Sequence, residues 1–329
     1  MDQQDTGVGI LKTLWAREKD GRWGITGMKG LDLKPQAGAD PKFFRYESQM
    51  EMLTNRPSGT IQDILSSFGP TDFLMKQSIL PVVAWMEGDS AIRCIGTATV
   101  ISCSGLLMTA CHVLLDPVES KYGRVERRGN TLLFGPNLNM GVFIPHSPAS
   151  GMRGFRFFPF ERCWYWGDWK ESPLFHESDQ FQYLTDIAIC KIAEMPGGAA
   201  HQPLNLSLNA FKVEETAYAI GYALMDDIPI EGRGHDLLIR KFTQDIYVSV
   251  GDVMTVFPEN HLRKDVPAPG PCFDFNAQIP GKMSGGPIFG AQGSVIRGVV
   301  SRSFSGENHA FGSHAWPCDA SAYGRKQSA

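Results

Sequence analysis

No stretch of the 329-residue chain offers the roughly 18 consecutive apolar residues that a membrane helix needs, because Gly, Pro or a charge interrupts every candidate. A membrane partner is therefore not expected. Surplus charge of one sign is also missing: 31 Lys and Arg stand against 35 Asp and Glu, a net charge of −4. That balance gives no general phosphate-binding surface, so nucleic acid is not expected as a partner. The seven cysteines, at positions 94, 103, 111, 163, 190, 272 and 318, form no C-x-x-C pair, and no histidine lies at zinc-finger spacing. Structural zinc is excluded on that pattern, and neither a metal nor a cofactor is expected. Residues 1–20 carry acid near the start and only a short apolar stretch, so no signal peptide is visible. The expectation is a cytoplasmic protein with mostly reduced thiols; the alternative is a secreted one with two or three disulfides and a spare thiol. Internal repeats are absent and sustained 3.6-residue periodicity is scarce, which excludes a helix-dominated fold.

What remains is ordinary globular composition, 43% hydrophobic and 20% charged, in a chain long enough for about two domains. Residues 1–77 are mixed and polar, with one short helical candidate at 61–68. From Ser78 onward short β-branched or apolar runs follow one another: SILPVVAW, IRCIGTATVIS, GLLMTACHVLL, then TDIAICKI, TAYAIGYAL, DLLIRKFTQDIYVSV, CFDFNAQ, GGPIFG and SVIRGVVSRSF. Runs of this length punctuated by Gly, Ser and Asp predict strands of an all-β barrel or sandwich. The aromatic-rich stretch 117–179 reads as long loops with one or two strands.

Three segments, each at the edge of a predicted strand, hold the residue types of an activated nucleophile: Thr109-Ala110-Cys111-His112-Val113, Thr185-Asp186-Ile187-Ala188-Ile189, and Gly281-Lys282-Met283-Ser284-Gly285-Gly286-Pro287. A serine hydroxyl needs a base to take its proton as it attacks. Imidazole, with an unperturbed pKa near 6.5, can take that proton and return it to a leaving amine. A buried carboxylate fixes the imidazole tautomer and stabilises the imidazolium. The Gly-rich turn lets backbone amides converge on a developing oxyanion.

The order His, Asp, Ser in T-A-x-H, D-I-A and S-G-G-P contexts, followed by the G-V-V-S run at 298–301, resembles the chymotrypsin-fold, trypsin-like serine peptidases. The likeness covers about residues 78–316. It implies two six-stranded antiparallel β-barrels with the site in the cleft between them, His and Asp from the first and Ser from the second. The implied division is residues 1–77 as an extension of unknown role, 78–205 as the first barrel and 206–329 as the second. His112 would be the general base, Asp186 its orienter and Ser284 the nucleophile, with Asp179 as the substitute carboxylate. The oxyanion hole would be the N–H groups of Lys282 and Ser284. Lys282 departs from the family's usual Gly. Either Gly281 takes the strained conformation instead, or the hole forms only when substrate or a partner binds. Met283 stands where secreted digestive members carry an Asp, so activation by a newly cut N-terminus is not expected.

Gln278 maps to the base of the primary specificity pocket and offers no acid to attract Lys or Arg. Ser301, Arg302 and Ser303 should line the cleft and pair with the substrate backbone. Arg302 or His309 could favour acidic substrates, or be merely solvated. Trp164, Tyr165, Trp166 and Trp169 read as packing or as a recognition surface. Cys111 reads as a small packed hydrophobe rather than a nucleophile. His146, His176, His201, His235, His261 and His314 read as surface or structural. The sequence thus predicts a serine endopeptidase acting on polypeptides, with an activating partner or N-terminal autoinhibition as a regulatory option. The alternative is a peptide-binding member of the same fold, impaired or conditional because of Lys282.

Overall fold

The computed structural model describes residues 78–115 except 103, 126–128, 131–133, 137–145, 155–170, 180–192, 203–230 except 205, 208 and 224, 246–257, 271–290, 296–303 and 309–315. Three short strands before these are also described: β1 (Trp15–Arg17), β2 (Trp23–Ile25) and β3 (Ser58–Thr60). The helical candidate at 61–68 lies outside the described residues.

The first group of strands comprises β4 (Ile79–Met86), β5 (Ala91–Ser102), β6 (Leu106–Thr109), β7 (Glu126–Arg128), β8 (Thr131–Leu133), β9 (Leu138–Pro145), β10 (Phe155–Lys170) and β11 (Gln180–Ile192). Their order β11-β6-β5-β4-β9-β10 closes on itself through a β10–β11 pairing, which makes a six-stranded barrel; β8 and β7 extend it from β10. After β6 comes a single helical turn, α1 (Cys111–Leu115). The second group comprises β12 (Thr216–Tyr222), β13 (Ile228–Pro229), β14 (Ile246–Phe257), β15 (Cys272–Phe275), β16 (Pro287–Gly290), β17 (Ile296–Ser303) and β18 (Ala310–His314). The order β12-β16-β17-β18-β15-β14 closes through β12–β14 into a second six-stranded barrel, while β13 pairs with β5 of the first. Closure leaves no long unpaired edge in either sheet, which is how β structure of this length avoids edge-to-edge association. The two-barrel architecture expected from the sequence holds.

Three details differ from the sequence reading. The run GLLMTACHVLL is not one strand: β6 ends at Thr109, and the chain turns helical because the His112 N–H is taken by the Asp186 carboxylate at 2.8 Å instead of by a neighbouring strand. The stretch 117–179, read as long loops with one or two strands, holds four, β7 to β10, and FRFFPFERCWYWGDWK is the 16-residue β10. Its aromatics divide between two clusters: Phe158 and Phe160 enter the main core, while Phe157 packs with Trp85 at a centroid distance of 4.5 Å in a satellite cluster; Arg156, Pro159, Glu161 and Arg162 between them are exposed. Finally, β3 from the N-terminal part pairs with β14, at Tyr247–Ser249, so this segment adds a strand to the second barrel's sheet before the chain builds the first.

The main core joins the barrels. Its buried residues include Val82, Val100 and Ile189 from the first and Tyr218, Ile220, Tyr222 and Val299 from the second. Between the barrels, the Tyr222 hydroxyl donates to the Ile79 carbonyl at 3.1 Å.

Candidate active site

His112 sits on α1 with its backbone N–H on Asp186 Oδ1 (2.8 Å) and its ring Nδ1 on Asp186 Oδ2 (2.7 Å). Both carboxylate oxygens therefore hold one residue, which sets the ring plane and leaves Nε2 as the free edge. Asp186 is buried in β11, past the end of the β6 ladder and within the register shift of β10 between Tyr165 and Gly167. Burial alone would push its pKa up. The His112 charge, the hydrogen bonds from the His112 ring and from Ser301, and the His112 backbone N–H outweigh burial and hold the carboxyl below its ordinary value. Asp186 is thus an anion over the physiological range.

Ser301, in β17, ties this pair to the nucleophile candidate. Its hydroxyl donates to Asp186 Oδ2, while its carbonyl accepts the Ser284 hydroxyl at 3.1 Å. The Ser284 hydroxyl thus rests on Ser301 rather than on the His112 ring. A single χ1 rotation redirects a serine Oγ, and such hydrogen bonds are often loose before substrate binds.

The turn carrying Ser284 is welded to the first barrel. Thr97 N–H donates to the Ser284 carbonyl at 2.8 Å, and the Thr97 hydroxyl to the Lys282 carbonyl at 3.1 Å. Gly285 has φ 87°, and a Cβ there would overlap Thr97 O and Thr109 Oγ1, so only glycine fits. Lys282 itself has φ 80°, whereas Gly281 is not among the positive-φ residues. The expectation that Gly281 might take the strained conformation is therefore corrected: lysine takes it, held by the Thr97 hydroxyl. Among the described residues the N–H groups of Lys282 and Ser284 donate to no acceptor. Two unused donors beside a nucleophilic oxygen are what an oxyanion site requires.

The substrate-side residues divide. Arg302 is exposed and Gln278 half-buried, with the Gln278 carbonyl accepting the Ser249 hydroxyl at 2.7 Å. Ser303 Oγ donates to the Ile279 carbonyl at 3.0 Å, so that hydroxyl is committed to the rim. The Ser301 hydroxyl is committed to Asp186, which leaves only the backbone of Ser301 for the substrate pairing expected of this strand. Its role was missed in the sequence because a serine within a β run carries no mark of its partner. His309 is not simply solvated: its Nε2 lies 3.2 Å from Asp274 Oδ2.

Cys111 is fully buried, and burial, then the nearby Asp186 charge, push its thiol well up, so it stays protonated and packs as a hydrophobe. Cys94, Cys163, Cys190 and Cys272 are likewise buried and in no disulfide. Trp164 and Tyr165 pack on the main core; the side chains of Trp166 and Trp169 lie outside the described residues, as do Asp179, His146, His176, His201, His235 and His261. Among the described residues no group of three His, Cys, Asp or Glu could hold a metal, and no helix is long and apolar enough to cross a membrane.

A family model described as a trypsin-like peptidase domain matches residues 96–296, which span His112, Asp186 and Ser284. A search of the curated proteins finds no match. Solved structures similar to this chain include the active form of the Rv3671c protease from M. tuberculosis (15% identity, 76% of this chain and 82% of that one, TM-score 0.41). Another is the MamO protease domain from Magnetospirillum magneticum (15%, 74% and 94%, TM-score 0.40), and a third is mouse neuropsin, a serine protease (10%, 77% and 95%, TM-score 0.41).

Proposed function

The chain belongs to the trypsin-like peptidase domain family, and from that membership we propose that it is a serine endopeptidase acting through an acyl-enzyme on Ser284. The observation that carries the reading is the Ser301 bridge: one residue holds the carboxylate that orients His112 and also takes the hydroxyl of Ser284. In the reaction, Ser284 Oγ turns to His112 Nε2 and attacks the peptide carbonyl as the imidazole takes its proton. The carbonyl oxygen becomes an oxyanion facing the Lys282 and Ser284 amides. Collapse of the tetrahedral adduct breaks the C–N bond, and His112 returns the proton to the leaving amine. Water then repeats the sequence on the ester, releasing the acid and restoring the serine. Asp186 stays ionised throughout and stabilises the imidazolium. Loss of one oxyanion donor costs about 3 to 4 kcal/mol of barrier in comparable sites, so Lys282 bears on rate through its backbone.

The Ser284 hydroxyl resting on the Ser301 carbonyl favours a second reading, a conditional enzyme whose nucleophile is engaged only when substrate or partner turns it. Fluorophosphonate labelling of the full chain, with mass mapping of the adduct, separates the two. Endopeptidase competence predicts an adduct on Ser284 that disappears in Ser284→Ala and in His112→Ala. A folded wild-type protein without adduct would leave the conditional reading standing and remove the first.

A further inference from the structure

The mechanism above uses only the backbone of Lys282. That backbone role asks for φ near 80°, which glycine adopts without strain and an L side chain resists, so the lysine side chain is not explained by it. The side chain is half-buried and, among the described residues, forms no ion pair and donates to no acceptor. Its root lies against β5, because the Lys282 carbonyl accepts the Thr97 hydroxyl at 3.1 Å. Burial pushes the Cys94 thiol of β5 up to about 12, with the Lys282 charge opposing that rise and the Asp227 charge adding to it. Next to Cys94, Arg93 Nε stands 3.8 Å from Asp227 Oδ2. A Cβ on neighbouring Gly281 would meet nothing within 4 Å, so the approach to Lys282 is open.

Two strands flank Ser284, one from each barrel. β17 pairs with β16 only as far as Val299, so its continuation through Ser301 to Ser303 has a free edge toward the nucleophile. An extended substrate adds there with the acyl side of the scissile bond. The departing half must then run the other way, past His112 and β5; Gly96 of β5 lies against both Val113 of α1 and the Ser284 carbonyl. Lys282 is on that side.

We propose that Lys282 is a specificity-determining residue for the leaving half of the substrate, its ammonium receiving the carboxylate of an Asp or Glu at the first or second position after the cleaved bond. The proposal rests on the endopeptidase reading. The ammonium is a compact point charge on a flexible stem, suited to carboxylates at either position rather than to one fixed geometry.

The purified full chain is given a peptide library made by digesting a proteome, then matched peptides with amidated C-termini that differ only by Glu or Gln at those two positions. The Glu/Gln ratio of kcat/KM should be about 5-fold, should fall toward unity in Lys282→Met and should persist in Lys282→Arg. Because each ratio is taken within one variant, any loss from a disturbed oxyanion site cancels. In the wild type alone, raising salt from low to high ionic strength should compress the ratio. A wild-type ratio of one, a ratio insensitive to salt, or one unchanged in Lys282→Met overturns the subsite while library cleavage keeps the endopeptidase. A preference seen only for peptides ending in a free carboxylate at those positions overturns it in favour of chain-end recognition. The absence of both cleavage and a fluorophosphonate adduct overturns the endopeptidase reading and the subsite with it.

Discussion

Ser301 shows how much chemistry one side chain can organise when two barrels bring distant segments together. It lies 115 residues from Asp186 and 17 from Ser284, and it touches both. Away from the site, His314 gives a residue-scale prediction. It is buried among Phe211 and Phe273, with Nδ1 accepting the Phe211 N–H at 3.4 Å and Nε2 without a partner among the described residues. Burial, and secondarily the Arg297 charge, lower its pKa from 6.5 to about 3. The folded state therefore binds fewer protons than the unfolded one between those values. Its contribution to stability is present above pH 6.5 and is lost progressively as pH falls toward 3. Denaturant midpoints measured at pH 7 and pH 4.5 should differ more for the wild type than for His314→Phe. Equal differences in the two proteins would show that another group governs the acid side.

Among elements, the turn between β15 and β16 carries the most constraint. Gly285 and Lys282 both have positive φ within four residues, and Gly285 packs its Cα against the backbone of β5 and the Thr109 side chain. Gly285→Ala combines an unfavourable φ with overlap against backbone that cannot give way. We expect a destabilisation of more than about 3 kcal/mol, together with loss of Ser284 labelling in whatever protein remains folded, read by thermal melts and by adduct mass. Retained labelling with an unshifted melt would mean that the turn relaxes. The same turn was legible in the sequence as a Gly-rich segment before a strand, because glycine spacing marks tight backbone. Which residue would take the strained dihedral was not legible, since that depends on Thr97 arriving from the other barrel.

For the whole molecule, the barrels are not independent bodies. Their main core is shared, and Thr97 joins β5 to the nucleophile turn and, through its Oγ1, to the Tyr222 N–H at 3.0 Å. Thr97→Val keeps the shape but leaves the Tyr222 N–H and the Lys282 carbonyl without that partner. A loss of about 3 kcal/mol is expected, spread over both barrels, so fluorescence and far-ultraviolet circular dichroism should still follow one unfolding transition. Two separated transitions would mean that Thr97 is all that couples them.

The sequence alone determined the β-rich class and the identity of His112, Asp186 and Ser284 as candidates. Period, turn residues and the company each residue keeps are local properties, written within a few positions of one another. The long strand β10 was hidden because its alternation slips twice, with Phe157 and Phe158 both buried and Glu161 and Arg162 both exposed, so no single period of two runs along it. The helical turn at His112 was hidden because its cause, the Asp186 carboxylate, lies 74 residues away. Tertiary structure also decided that Lys282 takes the left-handed conformation and that the Ser301 hydroxyl serves Asp186 rather than substrate. Each of these depends on a hydrogen-bond partner delivered by another strand, and no local pattern of residues encodes which strand that will be.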